Sequence, residues 1–172
     1  PNKRDKSKTL IYLEYGDDLT QSSMFKYDPD RLQWIYAQNM VKLVDHVDSP
    51  FRALVLGLGG GSLVKWLHQN TKCQIDAVDT VPQLQSIAET YFHMPVSNRI
   101  NVITEDAFKF VRETDNTYDM IFVDVCGHKD IDDKFVSPEF YEGLKWILTP
   151  KGRVAINYFV TPQSHADYMN NI

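Results

Sequence analysis

The sequence of 172 residues has few of the features that mark secreted, membrane-spanning or nucleic-acid-binding proteins. It has only two cysteines, Cys73 and Cys126, so no disulfide framework is indicated and both are expected to be reduced. No apolar run approaches the roughly 20 residues of a transmembrane helix, and the polar N-terminus has no apolar stretch typical of a signal peptide. We therefore expect a cytoplasmic protein without a membrane segment.

Basic residues are also in the minority, since 18 Lys and Arg stand against 23 Asp and Glu and give a formal charge of −5. Proteins that bind duplex DNA use clustered Lys and Arg to release the counterions of the phosphates. The charge balance therefore disfavours a nucleic-acid partner. With 43% hydrophobic and 24% charged residues and no internal repeat, the composition is that of one ordinary globular domain.

The chain does contain a regular alternation of short apolar runs and amphipathic stretches. Residues 1–50 are predicted to hold a strand at 10–15 and a helix over 32–47 with Asp30 as its cap. Residues 51–172 form a second segment, with strands predicted at 53–57, 74–79, 99–104, 118–125 and 152–160, and helices at 62–70, 82–92, 106–113, 137–147 and, weakly, 161–172. This alternation predicts a doubly wound α/β fold with a mostly parallel, Rossmann-like sheet.

Ligands of such sheets bind beyond the carboxyl ends of the strands, which makes the loops after the strands the first candidates for a site. The first of these loops contains four glycines, Gly57, Gly59, Gly60 and Gly61. The pattern G-x-G-x-G is the form found in S-adenosylmethionine-dependent enzymes. The dinucleotide pattern G-x-G-x-x-G would need Gly or Ala where Ser62 stands, and the phosphate-loop pattern fails because no Gly-Lys follows. A tight strand-to-helix turn without a ligand is the alternative interpretation.

Acidic residues follow the next strands of the predicted sheet. Asp79 ends the strand after the glycine loop, where a carboxylate can accept both ribose hydroxyls of an adenosine or be an ordinary solvated residue. Asp106 follows the third strand and either contacts an adenine amino group or caps the next helix. Asp124 ends an apolar strand, where carboxylates are rare, so we expect it to face the cleft beside the glycine loop. Thr80 and Ala107, which follow two of these acids, complete the predicted cofactor-binding residues.

Several ordered motifs also resemble those of one family. Over residues 10–160 the chain resembles the spermidine synthase family, and more closely its bacterial spermidine-synthase-like branch. The shared elements are Gln21-Ser22, a D-P-D-x-L element at 28–32 and the loop L-G-L-G-G-G-S-L at 56–63. The segments AVDTVP, EDAF, YDMIFVD and SPEFYEGLKWILTPKGRVAIN fit as well. The resemblance implies the fold of class I S-adenosylmethionine-dependent methyltransferases.

The resemblance also implies a reaction, which is aminopropyl transfer to a polyamine as a step of polyamine biosynthesis, with no metal. In the family the glycine loop and the acid at Asp79 hold the adenosine of decarboxylated S-adenosylmethionine, the acid at Asp106 contacts adenine, and the glutamine at Gln21 closes over the ligand. Asp124 matches the first acid of a D-S-S-D element, which positions and deprotonates the attacking amine. Most of the catalysis would then come from orienting an unprotonated amine against the carbon next to the sulfonium.

The sequence departs from the family where the polyamine is recognised. The second acid of the D-S-S-D element falls on Gly127, and an acid expected two residues after Asp79 falls on Val81. A polyamine is a multiple cation whose burial needs carboxylates in compensation. Three later acids are alternatives, although a solvated acidic loop is the favoured interpretation of Asp130, Asp132 and Asp133. His128 is a candidate general base, but an incidental loop histidine is the commoner case.

Three functions therefore stay open: aminopropyl transfer, methyl transfer from S-adenosylmethionine to an unidentified acceptor, and binding or assembly without turnover. The carboxylate of the methyl donor needs a cation or free amides, and Lys65 is the basic residue nearest to the glycine loop in the sequence. A homodimer is a candidate because the N-terminal segment is rich in aromatic residues, namely Tyr12, Tyr15, Phe25 and Tyr27. The family's terminal antiparallel strand pair is expected to be missing, since residues 161–172 are too few to form it.

Overall fold

The structure is a computed structural model that describes residues 9–16, 19–125 and 132–158, and these form two β-sheets. An antiparallel pair consists of β1 (Leu10–Tyr15) and β2 (Leu19–Phe25). A five-stranded parallel sheet has the order β5-β4-β3-β6-β7. Its strands are β3 (Arg52–Leu56), β4 (Gln74–Asp79), β5 (Ile100–Thr104), β6 (Tyr118–Val123) and β7 (Leu148–Ile156).

Helices connect the strands of the parallel sheet, and this confirms the predicted α/β class. They are α1 (Ile35–Met40), α2 (Ser62–Asn70), α3 (Leu84–Tyr91), α4 (Ala107–Glu113) and α5 (Pro138–Trp146), with 3-10 helices at Val41–His46 and Asp133–Val136. The N-terminal helix predicted over 32–47 is therefore split into an α-helical and a 3-10 part. The predicted cap was wrong, because α1 begins after Trp34 without a side-chain cap, and Asp30 instead accepts a hydrogen bond of 2.7 Å from Gln69.

The hairpin partner β2 was not predicted from the sequence. Its centre is the polar run Thr20 to Ser23, which lacks the apolar alternation typical of a strand. The structure nevertheless buries Ser23 and Met24, so the strand has an inner face that composition alone conceals. The end of the strand predicted at 152–160, the helix at 161–172 and the question of a missing strand pair fall largely on residues 159–172, outside the described residues.

The core lies on both faces of β3, whose residues Ala53 to Leu56 are at most 1% exposed. Successive side chains of a strand point to opposite faces. Ala53 and Val55 pack with residues of α1, α2 and α3, whereas Leu54 and Leu56 pack with residues of α4 and α5. Such burial on both faces explains why this strand is a continuous apolar run in the sequence.

A polar network ties four of the parallel strands together inside the sheet. The carboxylate of Asp76 in β4 is buried and accepts hydrogen bonds from Arg52 of β3 at 2.6 Å, Asn101 of β5 at 2.9 Å and Tyr118 of β6 at 2.8 Å. Burial is the main cause that raises the pKa of the Tyr118 hydroxyl, so this group stays a hydrogen-bond donor. Because the buried carboxylate has several donors, its desolvation is compensated.

The strand order reverses between β3 and β6, so a crevice is expected at the carboxyl ends of these two strands. Gly57 follows β3 and Asp124 follows β6. The two residues approach so closely that a Cβ on Gly57 would lie 2.2 Å from the backbone oxygen of Asp124. Gly57 also has a φ of +96°, which residues with a Cβ rarely adopt. Only glycine can therefore join β3 to the loop in this arrangement.

We predict that Gly57→Ala destabilises the protein by more than about 3 kcal/mol, because backbone strain and a clash with a backbone carbonyl act together. Gly16→Ala is the matched control. Gly16 also has a positive φ, of +65°, but a Cβ there would meet nothing within 4 Å. This control should lose only about 1–2 kcal/mol. Urea unfolding of both variants checks the difference, and equal losses would contradict the packing argument.

Candidate active site

The glycine loop connects β3 to α2 and is packed between two other segments of the protein. A Cβ on Gly59 would lie 2.6 Å from Oγ of Ser22, and one on Gly60 would lie 2.8 Å from the ring of Phe92. The Ser22 hydroxyl also accepts a hydrogen bond of 2.8 Å from the Gly60 amide. A Cβ on Gly61 would meet the sulfur of Met94 at 2.8 Å. Part of the reason for these glycines is therefore the close approach of the protein's own segments.

The carboxylate of Asp79, at the end of β4, is oriented by backbone amides of two loops. One oxygen accepts a hydrogen bond of 2.8 Å from Leu58 and lies 3.5 Å from the Gly59 amide, and the other accepts a bond of 3.1 Å from Val81. A carboxylate has about four acceptor positions, so acceptor capacity remains for a ligand. Asp79 is half-buried and the neighbouring Thr80 is exposed. The predicted pair of glycine loop and strand-end acid thus lies together at one edge of the sheet.

Asp106 is the N-cap of α4, which was one of its two predicted roles. One oxygen accepts a hydrogen bond of 3.0 Å from the Lys109 amide, and the other accepts a bond of 2.7 Å from the Lys134 ammonium. Burial raises the pKa of the Asp106 carboxyl, but the hydrogen bonds from Lys134 and from backbone amides outweigh it, so that the pKa lies below its usual range. Ala107 is buried directly behind the cap. The adenine role of Asp106 stays a prediction, and Lys134 was not predicted at all.

Asp124, directly after β6, has its carboxylate oriented by two elements that are distant in sequence. Tyr36 of α1 donates its hydroxyl to one oxygen at 3.0 Å, and Asn157 after β7 donates its side-chain amide to the other at 2.8 Å. Burial is the main cause that raises the pKa of the Asp124 carboxyl, and the two hydrogen bonds counteract it in part. A positioned carboxylate with a raised proton affinity is suited to act as a general base.

Sequence reasoning missed the two partners of Asp124 for different reasons. Tyr36 lies within the helix predicted over 32–47, where an aromatic side chain is an ordinary part of the apolar face and gives no signal of a site. Asn157 directly follows the apolar part of the last strand, and its polar side chain at a strand end was the signal that could have found it. Gln21 is exposed, and its Cγ lies 3.9 Å from the position of a Cβ on Gly59, so it lies beside the glycine loop. Its role over a ligand stays a prediction.

The remaining candidate residues divide into described and undescribed ones. Cys126, Gly127, His128 and Asp130 lie outside the described residues. Asp132 and Asp133 are exposed, and Asp132 accepts a hydrogen bond of 3.2 Å from the Lys134 amide at the start of a 3-10 helix. Within the described ranges no group of three or more His, Cys, Asp or Glu could hold a metal ion. Among the helices of the described residues, none combines the length and the hydrophobicity of a transmembrane segment.

Lys65 does not supply a cation to the ligand side of the glycine loop. Its ammonium is buried and donates hydrogen bonds to the backbone oxygens of Pro29 and Phe92. The side chain therefore points to the N-terminal segment and to the end of α3. Sequence proximity to the loop was a misleading signal, because residues of one helix turn point in different directions.

We predict that Asp124→Asn stabilises the protein near neutral pH, because burial raises the pKa of the Asp124 carboxyl and the substitution removes the charge that burial disfavours. A raised pKa means that the folded state binds the proton more tightly than the unfolded state. The stability of the wild type then falls as the pH rises from the unfolded carboxyl pKa of about 3.9 through the raised value. The gain should be largest above this window and should shrink below it.

Urea unfolding of the wild type and the variant at about pH 7.5 and about pH 3.5 measures this difference. Asp48→Asn is a control, since Asp48 is exposed in the loop before β3. A destabilised Asp124→Asn at the higher pH would show that the charge is better compensated than burial suggests.

Known proteins with both kinds of transfer activity are similar to this chain. A polyamine aminopropyltransferase of Chromobacterium violaceum is 28% identical over 162 residues, which is 93% of this chain and 62% of that protein. An eEF1A lysine and N-terminal methyltransferase homolog of Drosophila melanogaster is 30% identical over 155 residues, which is 80% of this chain and 23% of that protein. The chain thus spans less than two thirds of the length of either relative.

Solved structures agree with the fold. A probable spermidine synthase from Corynebacterium glutamicum has a TM-score of 0.75 at 19% identity, covering 85% of this chain and 55% of that one. Human methyltransferase-like protein 13 in complex with SAH has a TM-score of 0.69 at 26% identity, covering 79% of this chain and 70% of that one. The spermine/spermidine synthase domain matches residues 34–172, and the chain therefore belongs to the spermine/spermidine synthase domain family.

Proposed function

We propose that the protein is a transferase that binds decarboxylated S-adenosylmethionine at the glycine loop and transfers its aminopropyl group to a polyamine. The observation that carries the proposal is the arrangement of two carboxylates on the two strands that flank β3. Asp79 ends β4 on one side of the loop and Asp124 follows β6 on the other. One carboxylate is suited to hold a nucleoside and the other to accept a proton.

The nucleoside half of the site is supported by the orientation of Asp79. Because amides of Leu58 and Val81 already hold this carboxylate, it can accept ribose hydroxyls without losing further side-chain freedom. The adenine ring would extend toward Asp106 and Ala107, which follow the neighbouring strand β5. Gln21 and Ser22 of the β1–β2 hairpin would cover the ligand from the side of the N-terminal segment.

The transfer half of the site depends on Asp124. When bound, the sulfonium compound supplies an electrophilic carbon next to a positively charged sulfur. An attacking amine must lose a proton, and the raised pKa of the Asp124 carboxyl makes it a better acceptor than an exposed aspartate. Tyr36 and Asn157 hold the carboxylate in one orientation, so the amine that donates its proton to it is held in one orientation as well.

Methyl transfer from S-adenosylmethionine is the second candidate, and two observations favour it. Val81 is half-buried against the core where the family carries an acid, so one compensating charge for a polyamine is absent there. Relatives that are methyltransferases also cover 80% and 79% of this chain. The position of Lys65 favours the decarboxylated donor, because the ammonium nearest in sequence to the loop is buried against backbone oxygens and does not meet a donor carboxylate.

We expect calorimetric titration to show binding of decarboxylated S-adenosylmethionine, with weaker binding of S-adenosylmethionine and measurable binding of methylthioadenosine. Incubation of the decarboxylated donor with a polyamine should then release methylthioadenosine. Tighter binding of S-adenosylmethionine and release of S-adenosylhomocysteine would instead establish methyl transfer. Binding without turnover of either donor would favour a binding or assembly module. If none of the three compounds binds, the proposal is refuted.

A second prediction tests the ribose contact. Asp79→Ala should weaken the binding of methylthioadenosine by about 1–3 kcal/mol, the usual loss for hydrogen bonds to a charged group. The substitution also removes the acceptor of the Leu58 amide, so a change in loop structure must be separated from a lost ligand contact. A 2′-deoxy analogue separates them, because its affinity should depend less on Asp79 than that of the parent compound.

Calorimetry with both compounds on the wild type and on Asp79→Ala gives the four affinities that this comparison needs. Asp48→Ala, which changes an exposed acid elsewhere, should bind both compounds as the wild type does. An equal loss for the parent and the deoxy compound would show that Asp79 acts on the loop and does not contact the 2′-hydroxyl.

A further inference from the structure

Lys65 joins three segments of the chain through one buried ammonium group. The residue lies one turn into α2 and is 3% exposed. Its Nζ donates hydrogen bonds to the backbone oxygen of Pro29 and, at 2.9 Å, to that of Phe92, and it lies 3.3 Å from the sulfur of Met24. Met24 belongs to β2, Pro29 to the loop after β2, and Phe92 is the C-cap of α3.

The segments that Lys65 joins to α2 also pack against the glycine loop, from two sides. On one side, Ser22 of β2 accepts the hydrogen bond from the Gly60 amide. On the other, the ring of Phe92 packs so closely that a Cβ on Gly60 would lie 2.8 Å from it. The backbone amide of Lys65 itself donates to the oxygen of Gly61 at 2.8 Å. One side chain thus connects the helix that starts at the loop to both segments that enclose the loop.

Stability alone is a weak explanation for this lysine. Burial lowers the pKa of the Lys65 ammonium, so the charged form has an unfavourable environment, and the nearby Asp30 counteracts this only in part. A well-packed apolar side chain of similar length would avoid the desolvation cost. The ammonium, in contrast, can bond two carbonyl oxygens of different segments at once, which an apolar side chain cannot do.

A neighbouring contact on the same face of α2 also connects this helix to the segment after the hairpin. Gln69, one turn after Lys65, donates a hydrogen bond of 2.7 Å to Asp30 in the loop that follows β2. The loop after the hairpin is therefore held to α2 at two successive turns. The contact of Lys65 with Pro29 involves a buried charge, whereas the contact of Gln69 with Asp30 involves exposed groups.

We propose that Lys65 is a positioning residue that holds the β1–β2 hairpin and Phe92 against the glycine loop, and thereby couples nucleoside binding to the ordering of the hairpin. This inference rests on the proposed function, because it assumes that the nucleoside binds at the loop. Lys65 does not contact the nucleoside. It acts through Ser22, whose hydroxyl is held on Gly60, and through the adjacent Gln21.

Lys65→Met tests the proposal, since methionine keeps an unbranched side chain, one atom shorter than that of lysine, and removes its three donors. We expect methylthioadenosine to bind about tenfold more weakly, which corresponds to about 1.4 kcal/mol. Hydrogen exchange of the whole chain should show faster exchange in residues 19–33 of the variant. In the wild type, the nucleoside should slow exchange in these residues, and in Lys65→Met this ligand-induced protection should be lost. Lys72→Met removes an exposed lysine just after α2 and should behave as the wild type.

A double-mutant cycle with Ser22→Ala separates positioning from a general loss of stability. If Lys65 acts through Ser22, the effect of Ser22→Ala on affinity should be small once Lys65 is already changed. Additive effects of the two substitutions would overturn the proposal. So would unchanged affinity and unchanged ligand-induced protection in Lys65→Met.

Two further outcomes keep the test decisive. If Lys65→Met does not fold, Ser22→Ala in the presence of Lys65 still tests the coupling, and full ligand-induced protection of residues 19–33 in that variant would overturn it. If the wild type binds none of the three adenosyl compounds, the proposed function fails. Exchange of residues 19–33 without ligand then still decides whether Lys65 holds the hairpin, and unchanged exchange in Lys65→Met would overturn that role.

Discussion

The close approach of Gly57 to the backbone of Asp124 is the constraint on which the site depends. It brings the loop after β3 against the end of β6, at the point where the strand order reverses. The same loop lies beside β4 on its other side, where its Leu58 amide reaches the Asp79 carboxylate. The two strand-end carboxylates, Asp79 and Asp124, can therefore flank one loop only because a residue without a Cβ joins that loop to β3.

The N-terminal segment completes this arrangement from outside the parallel sheet. It supplies Ser22 to the glycine loop, Tyr36 to the Asp124 carboxylate and the Pro29 oxygen to the Lys65 ammonium. Each of these contacts is polar and directional, and two of them involve a charged group in a largely buried position. Such contacts add modestly to stability but define orientation, which is the property that a transfer reaction between two bound molecules needs. Residues 1–50 and residues 51–172 therefore both contribute side chains to the site.

Much of the parallel sheet could be predicted because short stretches of sequence mark its strands. The apolar run of β3 indicates a strand that is buried on both faces, and the length of the next apolar run places Asp79 at the end of β4. The strand β2 could not be predicted, because the half-buried Ser22 contacts the glycine loop and the buried Ser23 contacts Gln33, and only the folded chain provides these contacts. The sequence left two roles open for Asp106, and the structure shows the helix cap together with an ion pair to Lys134, while the adenine role stays a prediction.

The sequence by itself determined the alternation of strands and helices, the position of the glycine loop and the family resemblance of its motifs. These features rest on periodicity, turn chemistry and residue order, all of which are properties of short segments. Only the tertiary structure decided which side chains meet. It gave Asp124 its partners Tyr36 and Asn157, and it turned Lys65 away from the ligand side of the loop toward the hairpin. The physical reason is that hydrogen-bond partners and burial depend on segments far apart in the chain, and burial is what raises the proton affinity of Asp124 and lowers that of Lys65.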